Sequence, residues 1–222
     1  MRSLHSWKVN PEEAIQIQRD LKDSILLEKT FSKVKTIGGG DVAYSKDKNL
    51  LAGAMVVLSF PEMETLDIAT GFGKVPFPYI PGLLSFREGP VLIKLFQKLG
   101  VKPDIMIFDA QGIAHPRGVG LASHLGLWLD LPSIGCAKTP LLNEFDSPSP
   151  SKGSFELIRS GRQAIGAVLR TRDNVKPLFI SPGHRIDLLT SIQIILTSCK
   201  GFRIPEPLRR AHHLSTCMLR KQ

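Results

Sequence analysis

Apolar residues recur at three- and four-residue spacing from Ala14 through Ile17 and Leu21 to Ile25, the stripe of an amphipathic helix. Asn10 suits an N-cap, Pro11 the first helical position and Glu13 the capping-box position, so the pattern predicts a helix over residues 11–30 whose work is packing. From Thr36 to Val75 the period changes. Residues 37–44 read as a short strand entered through Gly38-Gly-Gly40, residues 50–60 as a continuous apolar strand, and residues 64–72 as a third. Turn residues at 45–49 and 61–62 join them as an antiparallel meander.

After the stiff, Pro-rich loop 76–82, a helix is predicted from Leu84 or Ser85 to Leu99, with Leu92, Leu95, Phe96 and Leu99 on its core face. Asp104 to Asp109 is a buried strand bounded by aspartates, 118–129 a helix and 133–138 another strand. Residues 143–153 have the composition of an exposed, flexible loop. Strands follow at 164–170 and 177–181, then a helix over 184–199 and a loop leading to a helix from Pro207. Three consecutive strands followed by alternating helix and strand give an α/β layout with a mixed sheet. There is no internal repeat, and residues 1–222 read as one domain with a basic tail from about residue 200.

Composition narrows the partners. A hydrophobic fraction of 42% suits a chain with a real core, and the longest apolar run, Leu50–Leu58, is far too short for a bilayer crossing. No leader-like segment precedes the first helix, so the expectation is a soluble, cytoplasmic protein, and a monomer. Cys136, Cys199 and Cys217 have neither disulfide-framework nor zinc-ligand spacing and read as reduced thiols. The formal charge is +9, and from Cys199 onward six basic residues face only Glu206. A surplus of that kind fits a polyanionic partner such as nucleic acid, or simply a basic surface.

Asp41 and Asp109 each sit on or just beyond an apolar strand, and Glu88 lies on the helix between them. Singly, each is more often a turn or capping carboxylate. An α/β topology can bring the three to one sheet edge, where they repel one another unless a divalent cation neutralises them. Oxygen-only ligands favour Mg²⁺, with Mn²⁺ able to substitute, and such a site supports phosphodiester hydrolysis. Gly38-Gly-Gly40 does not match the phosphate-binding G-x-x-x-x-G-K-[ST] pattern and reads as a bend.

Five segments taken in order resemble the endonuclease V family: Asp41-Val-Ala-Tyr44; Pro78-Tyr-Ile-Pro-Gly82 with Ser85-Phe-Arg-Glu88; Asp109-Ala-Gln-Gly-Ile-Ala-His-Pro-Arg117; Gly135-Cys-Ala-Lys138; and Ser181-Pro-Gly-His184. The resemblance runs from about residue 10 to residue 213 and implies an RNase H-like fold, a central mixed sheet flanked by helices. It implies a Mg²⁺-dependent repair endonuclease that recognises hypoxanthine in DNA and hydrolyses the second phosphodiester bond 3′ to it, leaving a 3′-hydroxyl and a 5′-phosphate. Asp41, Glu88 and Asp109 would bind metal, Lys138 would approach the reacting phosphate, and His212 would stand near the metal or its water, with His213 adjacent. Tyr79, flanked by Pro78, Ile80 and Pro81, resembles a wedge that fills the gap left by an extruded base. Gly82, Leu84 and Gly120 would surround that base, with Gly112 permitting close backbone approach and His115 lining the cleft. One departure is Ala110, where the family carries Gly; its methyl is expected to alter base preference and to spare the metal site.

Other readings fit the same residues. Inosine-containing single-stranded RNA is an alternative substrate, and a junction resolvase an alternative RNase H-like nuclease. A proofreading exonuclease would want Asp-x-Glu on the first strand, which Asp41-Val42-Ala43 lacks. A non-catalytic nucleic-acid binder would need only the basic tail.

Overall fold

The computed structural model describes residues 3–142 and 145–221. Eight strands form one mixed sheet in the order β3-β2-β1-β4-β5-β8-β7-β6. The meander is present: β1 (Thr36–Ser45), β2 (Leu50–Ser59) and β3 (Thr65–Lys74) pair antiparallel. β4 (Ile105–Phe108) runs parallel to β1, and β5 (Ser133–Ala137) parallel to β4. β6 (Phe155–Ser160), β7 (Gln163–Leu169) and β8 (Leu178–His184) complete the sheet antiparallel.

Strand alternation decides which helices cover which face. Ile105 and Ile107 of β4 join Ile37, Val56 and Leu58 beneath α4 (Leu188–Ser198) and α5 (Glu206–Arg220). Met106 and Phe108 point the other way, to α2 (Leu84–Lys98) and α3 (Leu121–Leu129). Both faces are thus buried, which is why the central strands read as apolar runs without a period of two. α1 (Pro11–Lys22) packs against the 76–86 region through Ala14, Phe77, Leu83 and Phe86. No helix among the described residues is long and apolar enough to cross a membrane.

Three expectations change. α1 stops at Lys22, because the chain turns on Leu21 and Lys22 carbonyls and crosses to β8, where Arg185 N–H donates to the Leu26 carbonyl. Ile25 is therefore partly buried from a loop, against the cluster that holds Ile113 and Phe179. The helix expected over 184–199 begins at Leu188 on an Asp187 N-cap, and His184 instead closes β8. β6 had no counterpart in the sequence reading: it is an edge strand with Ile158 as its one buried side chain, so it carries no apolar alternation. The expected exposed loop over 143–153 begins at Asn143 and Glu144, outside the described residues; over 145–153 it is present, without helix or strand and mostly exposed, with Pro148 buried and Phe145 edge-on to Phe179.

The basic tail is a helix with a purpose. Leu208, Ala211 and Ser215 of α5 are buried against β1 and β2, and the arginines stand on the outer side. Contact is close enough that a Cβ on Gly39 would lie 2.3 Å from the Pro207 main chain. Gly39→Ala is expected to lower unfolding stability by about 1–3 kcal/mol through overpacking, read from urea denaturation. An unchanged urea midpoint would contradict this packing.

Candidate active site

Asp41 sits in β1, five residues after its start, on the face that α5 covers. It is 8% exposed. The Ser215 hydroxyl donates to its Oδ2 at 2.5 Å, and His212 Nδ1 lies 3.3 Å from the same oxygen. The two adjacent histidines separate here: His213 faces Cys217 Sγ, 3.6 Å from its Nε2. Asp109 follows β4 directly, and its Oδ2 accepts an ion-paired hydrogen bond from Lys138 Nζ, at the end of β5. Glu88 projects from the first turns of α2. Asp41, Glu88, Asp109 and His212 line one cavity of about 260 Å³.

Their electrostatics follow from crowding. Burial, then the charges of Asp41 and Asp109, push the Glu88 carboxyl up to about 8. Burial also raises Asp109, against the opposing pull of Lys138. An all-oxygen carboxylate set under mutual repulsion fits a hard divalent cation, so these residues suit Mg²⁺ or Mn²⁺ by chemistry. As the side chains stand they do not close on one centre: among the described residues no three His, Cys, Asp or Glu groups are gathered to hold an ion. Asp41 Oδ2 is engaged by Ser215 and His212, and Asp109 Oδ2 by Lys138.

A second cavity of about 390 Å³ adjoins the first, with Asp109 and Leu121 lining both. Its walls include Tyr79, Ile80, Pro81, Gly82, Leu84, His115, Gly120 and Lys138. Leu83 N–H donates to the Ile80 carbonyl at 2.9 Å, closing a turn with Pro81 and Gly82 at its centre, and Gly82 has φ +82°. That is the type II pattern, which wants Pro first and Gly second. Tyr79 stands 70% exposed just before it. His115 Nε2 donates to the Gly82 carbonyl at 2.9 Å while its Nδ1 accepts from Arg117 N–H, so the ring is neutral. Burial pushes its pKa down to about 4.

Two of the named residues lie off these walls. Pro78 is exposed beside the loop. Gly112 is buried under β8, where a Cβ would lie 2.0 Å from the Pro182 carbonyl oxygen, so its smallness serves backbone packing. Ala110 does line the larger cavity. Sequence reasoning missed Ser215, whose signal was its position one turn after His212, and Arg87, buried with Nη1 donating to the Phe77 carbonyl.

Carboxylates lining one cavity at the end of an eight-stranded mixed sheet, beside a larger adjoining cavity, fit a phosphodiester-hydrolysing nuclease. Residues 19–213 match the Endonuclease V family model. Endonuclease V of Dictyoglomus thermophilum is 49% identical over 201 residues, covering 90% of this chain and 87% of that protein. The Streptomyces avermitilis endonuclease V crystal structure superposes with a TM-score of 0.91 at 37% identity, over 97% of this chain and 96% of that one. Endonuclease V of Ciona intestinalis, solved with a 24mer DNA containing an inosine followed by a ribo-adenosine, gives 0.85 at 32% identity, over 95% and 98%. The chain belongs to the endonuclease V family and is an endonuclease.

The Glu88 shift has a testable sign. The folded chain holds this proton up to about pH 8 against an ordinary value of 4.5, so the stability linked to it is full at low pH and is lost as pH rises between the two. In metal-free protein, melting temperature should fall across that window, Glu88→Gln should flatten the fall, and Mg²⁺ or Mn²⁺ should offset it in the wild type. Identical slopes for wild type and Glu88→Gln, measured by calorimetry, would show that burial and the neighbouring aspartates do not hold the Glu88 proton as described.

Proposed function

We propose that this protein is a Mg²⁺-dependent DNA repair endonuclease, with Mn²⁺ able to substitute, that takes hypoxanthine into the larger cavity and cuts the strand at the smaller one. The observation that carries this reading is that the two cavities meet at Asp109. A base held in one leaves a neighbouring stretch of its own backbone against the carboxylates of the other. That offset supports cutting beyond the base rather than at it; the second bond on the 3′ side follows the family resemblance.

Asp41, Glu88 and Asp109 would hold the cation, which when bound supplies charge neutralisation at the phosphoryl oxygens and activates the attacking water. Lys138 brings an ammonium to the same place, paired with Asp109 until phosphate competes for it. His212, hydrogen-bonded to Asp41, is placed to orient a water or carry a proton. The leaving oxygen becomes the 3′-hydroxyl, and the phosphate stays on the 5′ side of the next fragment. Tyr79, just before the turn and between Pro78 and Ile80-Pro81, fills the gap left by the extruded base. Neutral His115 and the main chain at Gly82, Leu84 and Gly120 surround hypoxanthine. A wall built for its 6-oxo group leaves polar groups unpaired against the amine of adenine.

A labelled duplex with one central inosine tests this. The expected product is a single nick at the second bond 3′ of inosine, dependent on Mg²⁺, lost with EDTA, absent on the adenine duplex, and reduced by at least about a hundredfold in Asp41→Asn. An inosine-containing RNA strand run alongside sets the substrate range. Intact inosine DNA in the presence of Mg²⁺ and folded protein would sink the proposal.

A further inference from the structure

The Gly82 carbonyl is the target of three donors from two separate stretches of chain. His115 Nε2 reaches it at 2.9 Å and Arg117 Nη2 at 2.8 Å, both from the loop after β4. The third is Gln18 Nε2 at 2.9 Å, from the middle of α1. Gln18 is wholly buried, and each of its polar atoms is used. Its amide nitrogen also donates to the Val119 carbonyl at 2.8 Å, and its Oε1 accepts from Arg117 Nε at 2.6 Å. The amide can stand only this way round, since a flip would set its oxygen against two carbonyls and its N–H groups against a guanidinium.

We infer that Gln18, together with Arg117, is a positioning residue for base selection: it fixes the Gly82 turn that forms one wall of the base pocket. Three features support this. The turn packs directly on its donors, because a Cβ at Gly82 would lie 2.7 Å from Arg117 Nη2 and 3.3 Å from His115 Nε2. With its carbonyl oxygen taken up by one charged and two neutral donors, Gly82 has no free acceptor to offer the pocket it lines. A wall whose carbonyl is already occupied gives the 6-amino group of adenine no acceptor there, and the 6-oxo group of hypoxanthine needs none. Gln18 itself lines neither cavity, so it acts through Gly82. A buried network satisfied at every member transmits the loss of one member to the rest.

This rests on the proposed reading of the larger cavity as a base pocket, and the experiment separates the two. Binding of single-stranded oligonucleotides carrying inosine or adenine is measured by anisotropy in Ca²⁺, and single-turnover cleavage in Mg²⁺, for wild type, Gln18→Met, Gln18→Glu and Arg117→Met. The ratio of inosine to adenine affinity should fall about tenfold in all three variants, as expected for a displaced hydrogen-bonding wall. A role confined to stability would lower the active fraction for every substrate and leave that ratio unchanged. A ratio within about twofold of wild type in folded Gln18→Met and Arg117→Met overturns the inference. Should Gln18→Met not fold, Arg117→Met, altered at a partly exposed loop position, decides alone. A wild type with no preference for inosine would overturn both the pocket reading and this inference.

Discussion

Three carboxylates brought into one small cavity must be held there against their own repulsion, and much of the molecule serves that requirement. Glu88 registers the strain most plainly, since burial and two neighbouring aspartates hold its proton on up to about pH 8. Each aspartate is steadied by a donor from elsewhere in the chain. Ser215 and His212 of α5 hold Asp41, and Lys138 at the end of β5 holds Asp109. The layers of the fold are what bring those donors within reach.

Parallel pairing of β1 with β4 sets Gly40 beside Phe108, so Asp41 and Asp109 follow at neighbouring strand positions. α2 then covers one face of the sheet and brings Glu88 to the same end, and α5 covers the other and brings His212 and Ser215. Gly39 lets α5 settle onto β1 at backbone distance. The larger cavity, proposed above as the recognition half, is built differently. Its wall is a type II turn between α1 and the loop after β4, gripped through one carbonyl. On the proposed reading, chemistry rests on sheet and helix packing, and base selection on a clamped loop. The two meet at Asp109.

Much of this was legible in the sequence. Apolar runs and turn residues located β1 to β5 and α2, and strand-end aspartates stood out because buried carboxylates need a reason. Where reading failed, the physics explains it. β6 is an edge strand with one buried residue, so no periodicity marks it. The start of α4 was misplaced by four residues because Ser181-Pro-Gly-His184 has weak strand propensity yet pairs with β5. α1 was read as packing alone, since an apolar stripe shows which face is buried and says nothing of a buried amide. Gln18 finds its partners in Gly82, Arg117 and Val119, far along the chain, and only the folded structure brings them together. Ser215 was hidden in the same way.

The central claim is that base recognition and strand cutting occupy adjoining cavities that share a wall. Glu88 belongs to the cutting cavity alone, so Glu88→Gln separates the two most directly. Fluorescence anisotropy in Ca²⁺, with cleavage followed in Mg²⁺, for this variant and wild type on inosine and adenine duplexes is the measurement to make. The account predicts that cutting is lost while the preference for inosine in binding stays within about threefold of wild type. If the preference disappears together with the cutting, recognition depends on the carboxylate site itself, and the two-cavity account is wrong.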